Sequence, residues 1–72
     1  MDARKRVGLN VQRLRRGRGL SQEEHAHRAD IHQTYLSGVE GAKRNPSVKV
    51  LGRIATALEV DIEELFRRPR AR

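Results

Sequence analysis

The chain has 72 residues, no cysteine, one Phe, one Tyr and no Trp, which confines it to one domain near the lower size limit for a self-supporting core and excludes disulfide staples and cysteine-bound zinc. Lys and Arg number 16 against 9 Asp and Glu, a formal charge of +7 with a pI of about 11.3, so the favoured partners are polyanions: nucleic acid first, an anionic membrane face second. No stretch reaches the ~18 apolar residues of a membrane span, and the start MDARKRVGLN lacks an apolar signal core, so a cytoplasmic protein is expected.

Apolar spacing is helical throughout. Val7, Val11 and Leu14 fall at i, i+4 and i+7 and predict an amphipathic helix over about 3–16, stopped by Gly17-Arg18-Gly19. Ser21-Gln22-Glu23-Glu24 is a capping box opening a short second helix, with Ala26 and Ala29 inward and His25 on or beside that face. Asp30 is placed to make a tight left-handed turn, at a cost of up to about 2 kcal/mol. A third helix is expected from about His32 to Glu40, with Leu36 and Val39 inward, Gln33, Thr34, Ser37 and Gly38 outward, and Gly41 at its end. Asn45-Pro46 breaks the chain, and Ser47 caps a fourth helix whose stripe is Val48, Leu51, Ile54, Ala55 and Leu58. A second capping box, Asp61 to Glu64, predicts a short final helix carrying Ile62, Leu65 and Phe66, before a frayed basic tail at 67–72.

Two short helices joined by a tight turn inside a small all-α domain form a helix-turn-helix, here over about 21–40 of a domain spanning 1–66. The first helix of such a unit crosses the phosphate backbone and the second enters the major groove. Gln33 suits bidentate bonding to adenine, and Thr34 and Ser37 suit base edges or a thymine methyl. Lys43, Arg44 and Asn45 are placed for phosphates, and Tyr35 for a mixed role, ring on protein and hydroxyl toward phosphate.

Together the residues Arg15, Gly19 to Glu24, Ala26, Ile31, Tyr35-Leu36, Val39-Glu40, Lys43 to Ser47, Leu51, Ile54-Ala55, Leu58 and Leu65-Phe66 resemble the phage-repressor helix-turn-helix family of the Cro or xenobiotic-response-element type. The resemblance covers about 7–66 and implies a five-helix, lambda-repressor-like domain binding double-stranded DNA, usually as a homodimer. It implies that Gln22 anchors a phosphate, that His32, Gln33, Thr34, Ser37 and Gly38 face bases, and that Glu40 pairs with Arg15 to set the docking angle. There are four departures from the family pattern: His25 stands where Leu is usual, which implies a polar or partly open inner face. Asp30 replaces the turn glycine, and Gly38 replaces a long base-reading side chain. Gly41-Ala42 implies a shifted helix exit.

The expected function is therefore a transcriptional regulator, a repressor on an inverted-repeat operator. Ile62, Leu65 and Phe66 are the expected dimer contact, because a final apolar helix has little left to cover in a monomer. An antitoxin or other protein-partner module with the same fold is the alternative. No Ser–His–Asp or phosphate-loop pattern suggests an enzyme, no cofactor is implied, and His25 and His27 point apart on their helix, against a shared metal. Binding to a membrane surface is disfavoured because the helices are short and the tail has no apolar face.

Overall fold

In the computed structural model, which describes residues 2–68, the Asp2 carboxylate caps α1, Ala3–Gly17, by accepting the Arg4 N–H at 2.7 Å. The helices α2, Gln22–Ala29, α3, Gln33–Glu40, and α4, Val48–Ala57, follow, and a 3-10 helix, Ile62–Phe66, completes the described chain. Ser21 and Ser47 cap α2 and α4 through their hydroxyls. Each cap supplies an acceptor for an otherwise unpaired N-terminal amide, which is why the starts coincide with the sequence signals.

The core is aliphatic. Val11, Leu36, Ile54, Leu58 and Leu65 are fully enclosed, with Val7, Val39, Leu51 and Ala55 around them. Burial of each large aliphatic side chain contributes roughly 1.5–3 kcal/mol against the entropy of ordering the chain. Val48, expected in the α4 stripe, is instead 76% exposed. As the first residue after the cap, it lies above the end of the buried seam that Leu51, Ile54 and Ala55 form.

Small residues decide the helix contacts. Ala26 and Ala29 are buried on α2. A Cβ built on Gly8 would lie 2.6 Å from the carbonyl oxygens of both Val39 and Glu40, so α1 rests directly on the backbone at the end of α3. His25 is fully buried rather than at an open core edge. Its Nε2 lies 3.1 Å from the Ile54 carbonyl, which can only accept, so that nitrogen carries the proton. Nδ1 is left buried without a partner.

The expected fifth α-helix is a 3-10 helix of five residues. Asp61 accepts the Glu63 N–H at 2.9 Å, and the Glu64 N–H goes to the Asp61 carbonyl, so the expected capping box does not form. An α-helical bond to the Leu65 carbonyl would have to come from position 69, where Pro69 has no N–H. The Leu65 carbonyl is taken instead by Asn10 Nδ2 at 2.9 Å, which also donates to the Arg67 carbonyl at 2.7 Å. Arg67, placed in a frayed tail by the sequence reading, is thus tied at its backbone to α1. The rest of that tail, 69–72, lies outside the described residues.

Candidate nucleic-acid interface

The joint between α2 and α3 is built from local signals. Ser21 and Glu24 form the reciprocal capping box, with the Glu24 N–H on the Ser21 hydroxyl at 3.0 Å and the Ser21 N–H on the Glu24 carboxylate at 2.9 Å. The Ser21 amide and hydroxyl hold the Glu24 carboxyl below its usual range. Asp30 has φ 58° and ψ 47°, the left-handed turn expected of it. The Ile31 N–H bonds back to the Ala26 carbonyl at 3.0 Å, closing α2 and redirecting the chain. His32 caps α3 without a side-chain bond.

At the far end, Gly41 caps α3 and Ala42 takes the left-handed conformation with φ 63°. Ala42 adopts the conformation a glycine would have, at a cost of about 1–2 kcal/mol. The Lys43 N–H closes the helix on the Gly38 carbonyl at 2.8 Å.

This geometry presents His32, Gln33, Thr34 and Ser37 as exposed side chains on one side of α3, while Leu36 and Val39 are buried on the other. Lys43, Arg44 and Asn45 are exposed in the loop that follows. Gly38 is only half-exposed, because the Arg44 side chain lies across it: a Cβ there would meet Arg44 Cγ at 2.6 Å. The Arg44 guanidinium carbon sits 5.5 Å from the centre of the half-buried Tyr35 ring.

The angle of α3 is held by one charged junction. Arg15 Nε donates to Glu40 Oε2 at 2.7 Å and Nη2 to Oε1 at 3.1 Å. Arg15 Nη1 donates to the Leu20 carbonyl at 2.8 Å. Gln22, expected on a phosphate, donates from Nε2 to Glu40 Oε1 at 3.0 Å. Three elements thus converge on one carboxylate that is 3% exposed. A pair this enclosed, with its hydrogen bonds filled, fixes geometry more than it adds net stability.

Of the expected dimer residues, Phe66 is 44% exposed and Ile62 is half-buried, but Leu65 is fully buried in the monomer core. Leu65 is therefore corrected to a core residue: its side chain is enclosed in the aliphatic core and has no surface to offer a partner. Arg18 is engaged with Glu59 at 3.2 Å. His25 is enclosed while His27 and His32 are exposed, and among the described residues no three His, Cys, Asp or Glu side chains converge as a metal would require. No helix among them is long and apolar enough to cross a membrane.

Two positions that matter here escape a reading of the sequence for function. Gly8 fixes the α1–α3 approach, and Asn10 holds the end of the domain. Asn10 carries a signal, since it is a polar residue on the inward face between Val7 and Leu14; Gly8 carries none beyond its small size.

A helix-turn-helix family model, HTH_3, matches residues 11–65, which include the capping box, the turn, α3 and the Arg15–Glu40 pair. The chain belongs to the HTH_3 helix-turn-helix family. It is 51% identical, over 90% of its length and 84% of the relative's, to the uncharacterized HTH-type transcriptional regulator y4dJ of Sinorhizobium fredii. It is 38% identical to the control protein C.MunI of Mycoplasma sp, over 90% of this chain and 89% of that protein. Among solved structures, the restriction-modification controller protein C.AhdI from Aeromonas hydrophila superposes with a TM-score of 0.86 at 36% identity, over 88% of this chain and 96% of that one. The HTH_3 match takes in the latter part of α1 and the whole of α2, α3 and α4; among the described residues the fifth element is the 3-10 helix.

Proposed function

We propose that the protein is a sequence-specific, DNA-binding transcriptional regulator that acts from an inverted-repeat operator as a homodimer and represses the gene it covers. The observation that carries the reading is the exposed row His32, Gln33, Thr34 and Ser37 on a helix whose angle is set by the buried Arg15–Glu40–Gln22 junction. Side chains on such a helix read base edges only if its backbone is held in register with the groove. The regulator and control-protein names among its relatives support the same reading.

In this reading His32, Gln33, Thr34 and Ser37 face bases, while Lys43, Asn45 and the Tyr35 hydroxyl face phosphates. Gln22 joins them by offering the second N–H of an amide whose first N–H is held by Glu40. Ile62 and Phe66 meet their counterparts across a two-fold axis and set the recognition helices about 34 Å apart in successive major grooves.

Selection of bound duplexes from a random library at about 0.15 M salt tests this, because counterion effects are then reduced. An enriched inverted repeat is the expected outcome. Salt-sensitive binding with no enriched sequence would overturn it and favour a protein partner. On the selected site, Gln33→Ala costs roughly 1–3 kcal/mol, confined to one base pair per half-site.

A further inference from the structure

Gly38 and Arg44 sit together in a way that neither position explains by itself. Gly38 lies inside an eight-residue helix, one turn after Thr34 on the outward side, and glycine disfavours helix through its backbone freedom. No backbone feature asks for glycine there, since the positive φ angles fall at Gly19, Asp30, Ala42 and Glu59. What occupies the space is Arg44. Measured from a Cβ built on Gly38, Arg44 Cγ is 2.6 Å away, Nε 3.3 Å and Cδ 3.5 Å. From there the guanidinium continues over the Tyr35 ring, 5.5 Å from its centre. Among the described residues Arg44 has no carboxylate within ion-pair distance, unlike Arg4, Arg15, Arg18 and Arg67.

From this we infer that Arg44 is a base-reading residue that stands in for the side chain missing at Gly38. The loop after α3 supplies the guanidinium, Gly38 gives its stem a notch to lie in, and the Tyr35 ring lies beneath it. A guanidinium stacked on an aromatic ring keeps its fork of donors free at the edge. From its seat over Gly38, one turn after Thr34 on the outward side of α3, that fork can reach the groove, where guanine O6 and N7 accept two parallel bonds. Lys43 and Asn45 are the phosphate contacts of this loop, and Arg44 has a different role from the one its charge suggests. The inference deepens the proposed function and rests on it.

The experiment uses the wild-type selected duplex, its single-base-pair variants and a non-specific duplex. Arg44→Lys keeps the charge but loses the fork. Gly38→Ala keeps Arg44 itself and displaces its flexible stem, while alanine favours the helix. Both variants are expected to bind the selected duplex roughly 5–150-fold more weakly per half-site, the range a bidentate base contact spans. The same G·C pair becomes degenerate in repeat selections with each, and affinity for the non-specific duplex is retained. A uniform loss on all duplexes would show that Arg44 contacts phosphate and overturn the inference. Wild-type discrimination at every base pair in Arg44→Lys would also overturn it, whatever the fold of Gly38→Ala. Failure of the wild-type protein to select any motif is a different result, and removes the proposed function together with this inference.

Discussion

His25 is the residue whose environment departs furthest from what its chemistry favours. Its ring is fully buried, one nitrogen is bonded to the Ile54 carbonyl, and the other has no partner. Desolvation holds its pKa below the ordinary 6.5, with Arg15 and Arg28 acting in the same direction and the Ile54 bond and Glu40 opposing them. A folded-state pKa below the unfolded value means that the unfolded chain takes up the proton first. Stability is therefore full above about pH 6.5 and declines as pH falls below it. Urea unfolding between pH 7.5 and 5.5 is expected to show this decline in the wild type and a flatter profile in His25→Leu. The same variant gains roughly 1–2 kcal/mol at neutral pH, because an unpaired buried nitrogen disappears while the Ile54 carbonyl keeps the Leu58 N–H. An unchanged pH profile in His25→Leu would show that other groups carry the dependence.

Among the elements, α3 is the one whose position matters, and α1 is what positions it. Gly8 lets α1 touch the Val39 and Glu40 carbonyls, and Arg15, two turns along α1, clamps Glu40. Gly8→Ala tests that contact. Alanine is the better helix former by about 0.8–1 kcal/mol, yet the added methyl lies 2.6 Å from two backbone oxygens that cannot rotate away. A net loss of roughly 1–3 kcal/mol in chemical denaturation is expected, as for other overpacked seams. The surviving folded fraction should also discriminate less well between the selected operator and its variants, because α1 and α3 must separate. A stabilised Gly8→Ala with intact discrimination would show that the seam relaxes without moving α3. The ends of these elements were legible in the sequence because caps and turns are local: Ser21, Asp30 and Ser47 act within three or four residues. The last element was misread because its helix needs acceptors and donors supplied from elsewhere. Pro69 removes one N–H, and Asn10, 55 residues before Leu65 in the chain, takes the free carbonyl.

At the scale of the molecule, the charge of +7 sets how binding responds to salt. Each phosphate neutralised releases condensed counterions, so log affinity falls with log salt at a slope of about −0.9 per contact. Lys43 is exposed and projects from the loop at the end of α3. In a dimer, Lys43→Ala is expected to weaken binding to every duplex alike and to reduce the salt slope by about two, one per protomer. A loss confined to the selected operator, with the slope unchanged, would reassign Lys43 to base reading. Two of the positive charges do not contribute to this slope as the composition suggests. Arg15 is neutralised inside the fold by Glu40, and Arg18 is partnered by Glu59.

Read along the chain, the sequence specifies the class of fold, the four α-helices, the turn at Asp30 and the inward and outward faces of α3. These follow from periodicity and capping, which act over a few residues. It also determined the Arg15–Glu40 pair, through its resemblance to a family. The packed molecule was needed to show which of the outward residues are free. It showed Gln22 bonded to Glu40, Gly38 covered by Arg44, His25 sealed rather than open, and Leu65 used up in the core. Each of these depends on a side chain arriving from a distant or turned-back part of the chain. Spacing along a helix fixes the direction a residue faces, but not what the rest of the molecule places in front of it.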